Sequence, residues 1–165
     1  MSSFAPIDTL KDSNCQNIFT LYGIPSCFWA ESYLVANGFF GCSDAYDNEG
    51  MVYGHDTWYR FLVKQVDINS TEKQGGIMQG PIYSWDEVGF FTRWTSPNRN
   101  VVLCFGIPPG EKKQLQTSLK TNWNEYGCFD PYFLHSIINY EILVLYDRSI
   151  WSMRDVIRKI EKAFQ

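Results

Sequence analysis

Two histidines, His55 and His135, are the residues best suited to moving protons near neutral pH. His55 sits in Gly54-His55-Asp56, a polar stretch just before Tyr59. A His, an Asp and Tyr59 converging on one pocket would suit general acid–base work. Glu87 and Arg93 are two further polar groups for such a site, while Trp58, Phe91 and Trp94 are the aromatic side chains that would contact a ligand. Aromatic faces stabilise developing positive charge, so this set fits the reshaping of an apolar substrate. A plainer reading stands beside it. His135 follows Leu134 near the apolar face of a helix, where a histidine is more often a hydrogen-bonded structural residue.

Other chemistries find less support. Asp44, Asp47 and Glu49, and separately Asp86-Glu87, are carboxylate groupings, but the first lacks the full calcium-loop spacing and both read as solvated acids. No metal site and no cofactor is expected. The five cysteines, Cys15, Cys27, Cys42, Cys104 and Cys128, contain no CxxC pair, which argues against a disulfide framework and a structural zinc site. Cys104 falls in mid-strand and is expected to be buried and inert. No GxSxG elbow and no phosphate-binding glycine loop is present.

Composition sets the class. The chain has 165 residues, 45% of them hydrophobic and 19% charged, which is enough apolar material for one folded domain spanning 1–165. Aromatics reach 17%, either as core material or as the lining of a pocket or interface. With 14 basic against 18 acidic residues the net charge is -4, and nucleic-acid binding is not expected. No signal peptide and no apolar run of membrane-spanning length is seen, so a cytoplasmic protein without a membrane span is expected.

The elements that must position these groups follow from pattern. Residues 1–20 read as a loose leader, Ser26 to Asn37 as a short helix, and 42–56 as a long polar loop. Thr57 to Val66 reads as a strand and 67–81 as a flexible connection. A central hairpin at about 87–106 turns at Ser96-Pro97-Asn98-Arg99. On its first strand Val88, Phe90, Thr92 and Trp94 share one face, and Glu87, Gly89, Phe91 and Arg93 the other. Glu111 to Asn122 reads as a polar helix. Asp130-Pro131 then opens a terminal helix pair, with a corner at Asp147-Arg148-Ser149. The class is α+β: mainly an antiparallel sheet packed by helices, ending in a two-helix C-terminal segment.

The second terminal helix carries Ile150, Met153, Ile157, Ile160 and Phe164 in steps of three and four, a narrow seam for a partner helix. A homo-oligomer or a partner helix is expected there.

From Asp130-Pro131 through Leu134-His135, Glu141-Ile142, Tyr146-Asp147 and Arg154-Asp155 to Ile160-Glu161-Lys162, the chain resembles fungal CorA-like proteins. SWDEVGFFTRWT and VVLCFGIPP look similar to the sheet part of the same domain, so the resemblance spans roughly 80–165. It implies a soluble N-terminal α/β domain, with 150–165 as the start of a stalk helix. The Gly-Met-Asn tripeptide of magnesium channels is absent, so transport does not carry over.

Two main readings result. One is a non-catalytic assembly or ligand-sensing domain of the CorA-like type. The other is a small enzyme of secondary metabolism, of cyclase or isomerase type, that binds an apolar small molecule in an aromatic-lined pocket. A third, a protein-binding effector, would show as an exposed aromatic patch.

Overall fold

Alternation of side chains in the strand-rich middle of the chain builds a five-stranded sheet with a different hydrophobic layer on each face. The computed structural model describes residues 2–5, 13–28, 30, 36–67, 73–74, 77–78, 82–97, 99–123 and 130–163. The strands are β1 (Ser2–Ala5), β2 (Gly38–Tyr46), β3 (Val52–Asp67), β4 (Lys73–Gln74), β5 (Ile77–Met78), β6 (Ile82–Thr95) and β7 (Arg99–Phe105). The helices among the described residues are α1 (Ser13–Tyr22), α2 (Pro109–Trp123) and α3 (Phe133–Ala163), with a 3-10 turn at Ser26–Phe28. The main sheet runs β1-β7-β6-β3-β2. It is antiparallel except where β1 joins β7 in parallel. Lys73–Gln74 and Ile77–Met78 form a small separate ladder.

The class is α+β, and the β6–β7 hairpin lies at the centre of the sheet. The two faces of β6 follow the sequence alternation. On one, Val88 and Phe90 join Tyr59, Val63, Val102 and Cys104 beneath Leu115 and Leu119 of α2 and Leu134, Ile138, Ile142 and Leu145 of α3. On the other, Phe91 joins Leu103 and Phe105 beneath Phe19 of α1, Ile24 and Phe28. Phe105 meets Phe19 edge-on at 5.7 Å and Phe28 at 5.3 Å between ring centroids. Gly89 admits the Phe28 ring, since a Cβ there would lie 3.3 Å from its Cζ.

Several segments differ from the sequence expectation. Residues 42–56 form a hairpin rather than a loop, with Asp44 opposite His55 and Tyr46 opposite Val52. β2 is an edge strand with mostly exposed or half-buried side chains, so it has no apolar alternation to betray it. Its turn is set by Asp47, whose carboxylate accepts from the N–H groups of Glu49 at 2.9 Å and Met51 at 2.8 Å, and by Gly50 at φ +81°. Residues 1–20, read as a leader, contain β1 and most of α1, which runs on to Tyr22. The stretch from Ser26 begins as a 3-10 turn, and 31–35 of the expected helix lie outside the described residues.

The expected two-helix ending is one continuous helix of 31 residues, about 46 Å long at 1.5 Å per residue. No Gly or Pro interrupts 147–149, and neighbours satisfy the side chains around that turn. Tyr146 donates to the Leu62 carbonyl at 3.1 Å, Ser149 donates to the Lys64 carbonyl, and Arg148 pairs with Glu111 at 2.6 Å. Upstream, Asp130 accepts from the Tyr132 N–H at 2.8 Å, in keeping with a capping role. From Ile150 onward no described residue of α3 is fully buried. No helix among the described residues is long and apolar enough to cross a membrane.

Candidate functional site

Three rows across the sheet define the site. Asp44, His55, Trp94 and Asn100 stand side by side in register on β2, β3, β6 and β7. In the next row come Cys42, Thr57, Thr92 and Val102, followed by Phe40, Tyr59, Phe90 and Cys104. Opposed residues of an antiparallel sheet share a face, so these rows lie on the α3 side. The first turn of α3 and the residue before it bring His135 and Tyr132 over them.

Asp44 and His55 are directly paired, with Nδ1 2.5 Å from Oδ1. The carboxylate accepts from Nδ1–H, which leaves Nε2 on the opposite edge of the ring. The His55 ring meets Tyr132 at 5.1 Å, and Tyr132 meets His135 at 5.9 Å. His135 lies 5.5 Å from Tyr59, with its Nε2 3.4 Å from the Thr92 hydroxyl. Burial lowers the His135 pKa from the ordinary 6.5, and the nearby His55 adds to this, against a smaller opposing pull from Asp130. Burial also pushes the Tyr59 phenol well above its usual range, so it stays protonated and able to donate.

Buried polar atoms mark the same end of the sheet. The Thr57 hydroxyl, the Tyr59 hydroxyl and both ends of the Asn100 amide are buried without a hydrogen-bond partner among the described residues, in residues 0%, 4% and 8% exposed. A buried group left unpaired costs about 1–3 kcal/mol. Between α2 and the start of α3 opens a cleft of about 730 Å³ whose walls include Ser118, Asn122, Asp130, Tyr132, Ser136 and Tyr140. Tyr132 belongs both to this cleft and to the histidine cluster.

The structure therefore brings His55, Tyr59 and His135 together, with Trp94 in the row of His55. It places the other named residues elsewhere. Arg93 holds Asp56 through two contacts of 2.7 and 2.5 Å on the opposite face, which raises its pKa. Glu87 pairs with the buried Arg60, also on that face. Phe91 is fully buried core, and Trp58 packs against the same aromatic layer. The Trp58 ring also covers Gly41, where a Cβ would come within 2.5 Å of it. Of the helix seam, Ile150, Met153, Ile157 and Ile160 are exposed, and Phe164 lies outside the described residues.

Asp44, Thr57, Thr92, Asn100 and Tyr132 are the site residues that the sequence reading did not assign. The available signal was the period-2 run His55-Thr57-Tyr59. It was hidden by starting the strand at Thr57 rather than at Val52. Among the described residues, no grouping of His, Cys, Asp and Glu is placed to hold a metal ion. Cys27, Cys42 and Cys104 are free thiols; Cys104 is buried, and burial raises its pKa far above the ordinary thiol value.

No protein-family model and no solved structure matches the chain significantly. The chain is 32% identical, over 82 residues, to an Aspergillus versicolor protein described as notoamide biosynthesis cluster protein M'. That match covers 49% of this chain and 18% of the other protein, so the chain spans less than a fifth of that relative's length. The resemblance to CorA-like proteins over 80–165 is corrected by this finding, because the detected similarity leads to a biosynthesis-cluster protein instead. An Asp-Pro helix start and an amphipathic helix over a hairpin are demands of helix-on-sheet packing, and they carry no lineage by themselves.

Proposed function

We propose that the chain is a small enzyme of secondary metabolism, of isomerase or cyclase type, acting by acid–base chemistry on an apolar small molecule. The Asp44–His55 pair carries this reading, because it supplies an oriented base beside buried, unpartnered hydroxyl and amide groups. In this reading His55 Nε2 takes a proton from a carbon next to a substrate carbonyl. The Tyr59 and Thr57 hydroxyls donate to the carbonyl oxygen as charge builds on it. Reprotonation at another carbon completes an isomerisation and needs no cofactor. Neutral His135 and Tyr132 form the wall over the ring. The biosynthetic setting of the similar Aspergillus protein supports the substrate class. The free thiols of Cys27, Cys42 and Cys104 support a cytoplasmic setting.

The test incubates the purified protein in D₂O with a panel of apolar polycyclic ketones and follows deuterium uptake beside the carbonyl by mass spectrometry. Uptake is expected above the buffer rate for at least one ketone, falling about 100-fold or more in His55→Gln and clearly in Asp44→Asn. Uptake that both variants retain in full, or none with any ketone, overturns the reading.

A further inference from the structure

The cleft between α2 and α3 is walled by side chains whose donors are largely engaged within the protein. Ser118 donates to Glu141 at 2.6 Å, and Ser136 donates to the Phe133 carbonyl at 2.8 Å. A hydroxyl has one hydrogen and two lone pairs, so both serines are left as acceptors. The Asn122 amide nitrogen donates to the Ser118 carbonyl at 2.8 Å, and its Oδ1 keeps its lone pairs. Asp130 accepts from the Tyr132 N–H through Oδ1 and retains a second carboxylate oxygen. Each of these residues lines the cleft. Such a wall of oxygens selects a molecule that donates, and about 730 Å³ is the size of a small-molecule pocket.

Charge points the same way. Glu141 lies buried behind Ser118. α2 ends at Trp123, so the negative end of its dipole faces this region, while the positive start of α3 is met by the Asp130 carboxylate. Among the described residues, no Lys, Arg or His lines the cleft.

Two rings flank the oxygens. Tyr132, Ser136 and Tyr140 recur at i, i+4 spacing, on the order of 6 Å apart along the helix axis. The tyrosines are 60% and 63% exposed, which leaves each ring largely open. A cation seated at Ser136 would lie within range of cation–π attraction from both.

We propose that this cleft binds a protonated primary amine carried on an apolar body. Its N–H groups are shared among Asp130, Asn122, Ser118 and Ser136, and the rings of Tyr132 and Tyr140 flank the charge. A quaternary ammonium brings the charge without N–H donors, and an alcohol brings a donor without the charge. The site shares only Tyr132 with the histidine cluster and does not depend on the acid–base reading.

Isothermal titration calorimetry on the full chain at pH 7 tests it with probes that share one body: 2-phenylethylamine, its N,N,N-trimethyl analogue and 2-phenylethanol. A dissociation constant on the order of 0.1 mM is expected for the amine, and binding at least about tenfold weaker for each of the others. Asp130→Asn keeps an acceptor for the Tyr132 N–H and should weaken amine binding about tenfold. Tyr140→Leu, at an exposed helical position, should weaken it about threefold. Thermal melting checks that both variants remain folded. No amine binding at millimolar concentration, equal binding of the trimethyl analogue or the alcohol, or full affinity in either variant would each overturn the proposal.

Discussion

On the α1 face of the sheet, Phe19, Phe28, Phe91 and Phe105 close over one another, and Arg93 and Arg60 are paired with Asp56 and Glu87. On the α3 face the same strands bury Val63, Val88 and Phe90 over most of their length, then end in His55, Thr57, Tyr59 and Asn100. One layer is a packing solution. The other holds buried hydrogen-bonding groups with no partner among the described residues. Unpaired buried donors lower stability, so the contrast separates a face that holds the fold by packing from one that carries a polar cost, the cost that the proposed reading assigns to a ligand.

The sharpest way to break this contrast is to damage the packed side. Phe91→Ala removes a fully buried ring from the centre of the aromatic layer and should lower unfolding stability by about 3–5 kcal/mol, read from urea denaturation. Ketone binding measured on the folded fraction should be unchanged. A parallel loss of binding would mean that the two faces act as one unit.

A smaller effect of opposite sign is expected on the polar side. Tyr59→Phe deletes a buried hydroxyl that has no partner, so stability should hold or rise by up to about 1 kcal/mol. Deuterium uptake should fall, because the oxygen of the substrate loses a donor. A destabilisation of several kcal/mol would show that the hydroxyl serves the fold.

The smallest effect concerns pH. The His135 pKa is lowered in the folded state from the ordinary 6.5. Between the lowered value and 6.5 the unfolded chain therefore holds more protons than the folded one. The neutral ring's contribution is complete above about pH 6.5 and is lost as pH falls toward the folded value. The melting temperature of the native chain should thus drop more than that of His135→Gln between pH 7.5 and 5.5. Equal drops would remove His135 from the desolvated cluster.

Legibility in the sequence followed burial. Val88, Phe90 and Phe91 declared the two faces of β6 by alternation, and Leu134, Ile138 and Ile142 declared the inward side of α3, because buried strands and helices leave a periodic record. The edge strand β2 left none, so Asp44 was read as a solvated acid instead of the partner of His55. The expected corner at Asp147-Arg148-Ser149 failed for a related reason. Its polar side chains suggested a turn, yet Ser149 and Arg148 are satisfied across space by Lys64 and Glu111, residues far away in the chain.

The sequence alone determined which residue types were available: two imidazoles, a ring-rich core, a central hairpin and a seam of Ile and Met at helical spacing. Its periodicities fixed which side chains share a face, because that follows from local backbone geometry. Only the tertiary structure decided that His55, Tyr59 and His135 meet while Glu87 and Arg93 lie across the sheet in ion pairs, and that the seam on α3 faces outward. Those outcomes depend on strand register and on where one helix crosses the sheet, and both are set by contacts between residues remote in the chain.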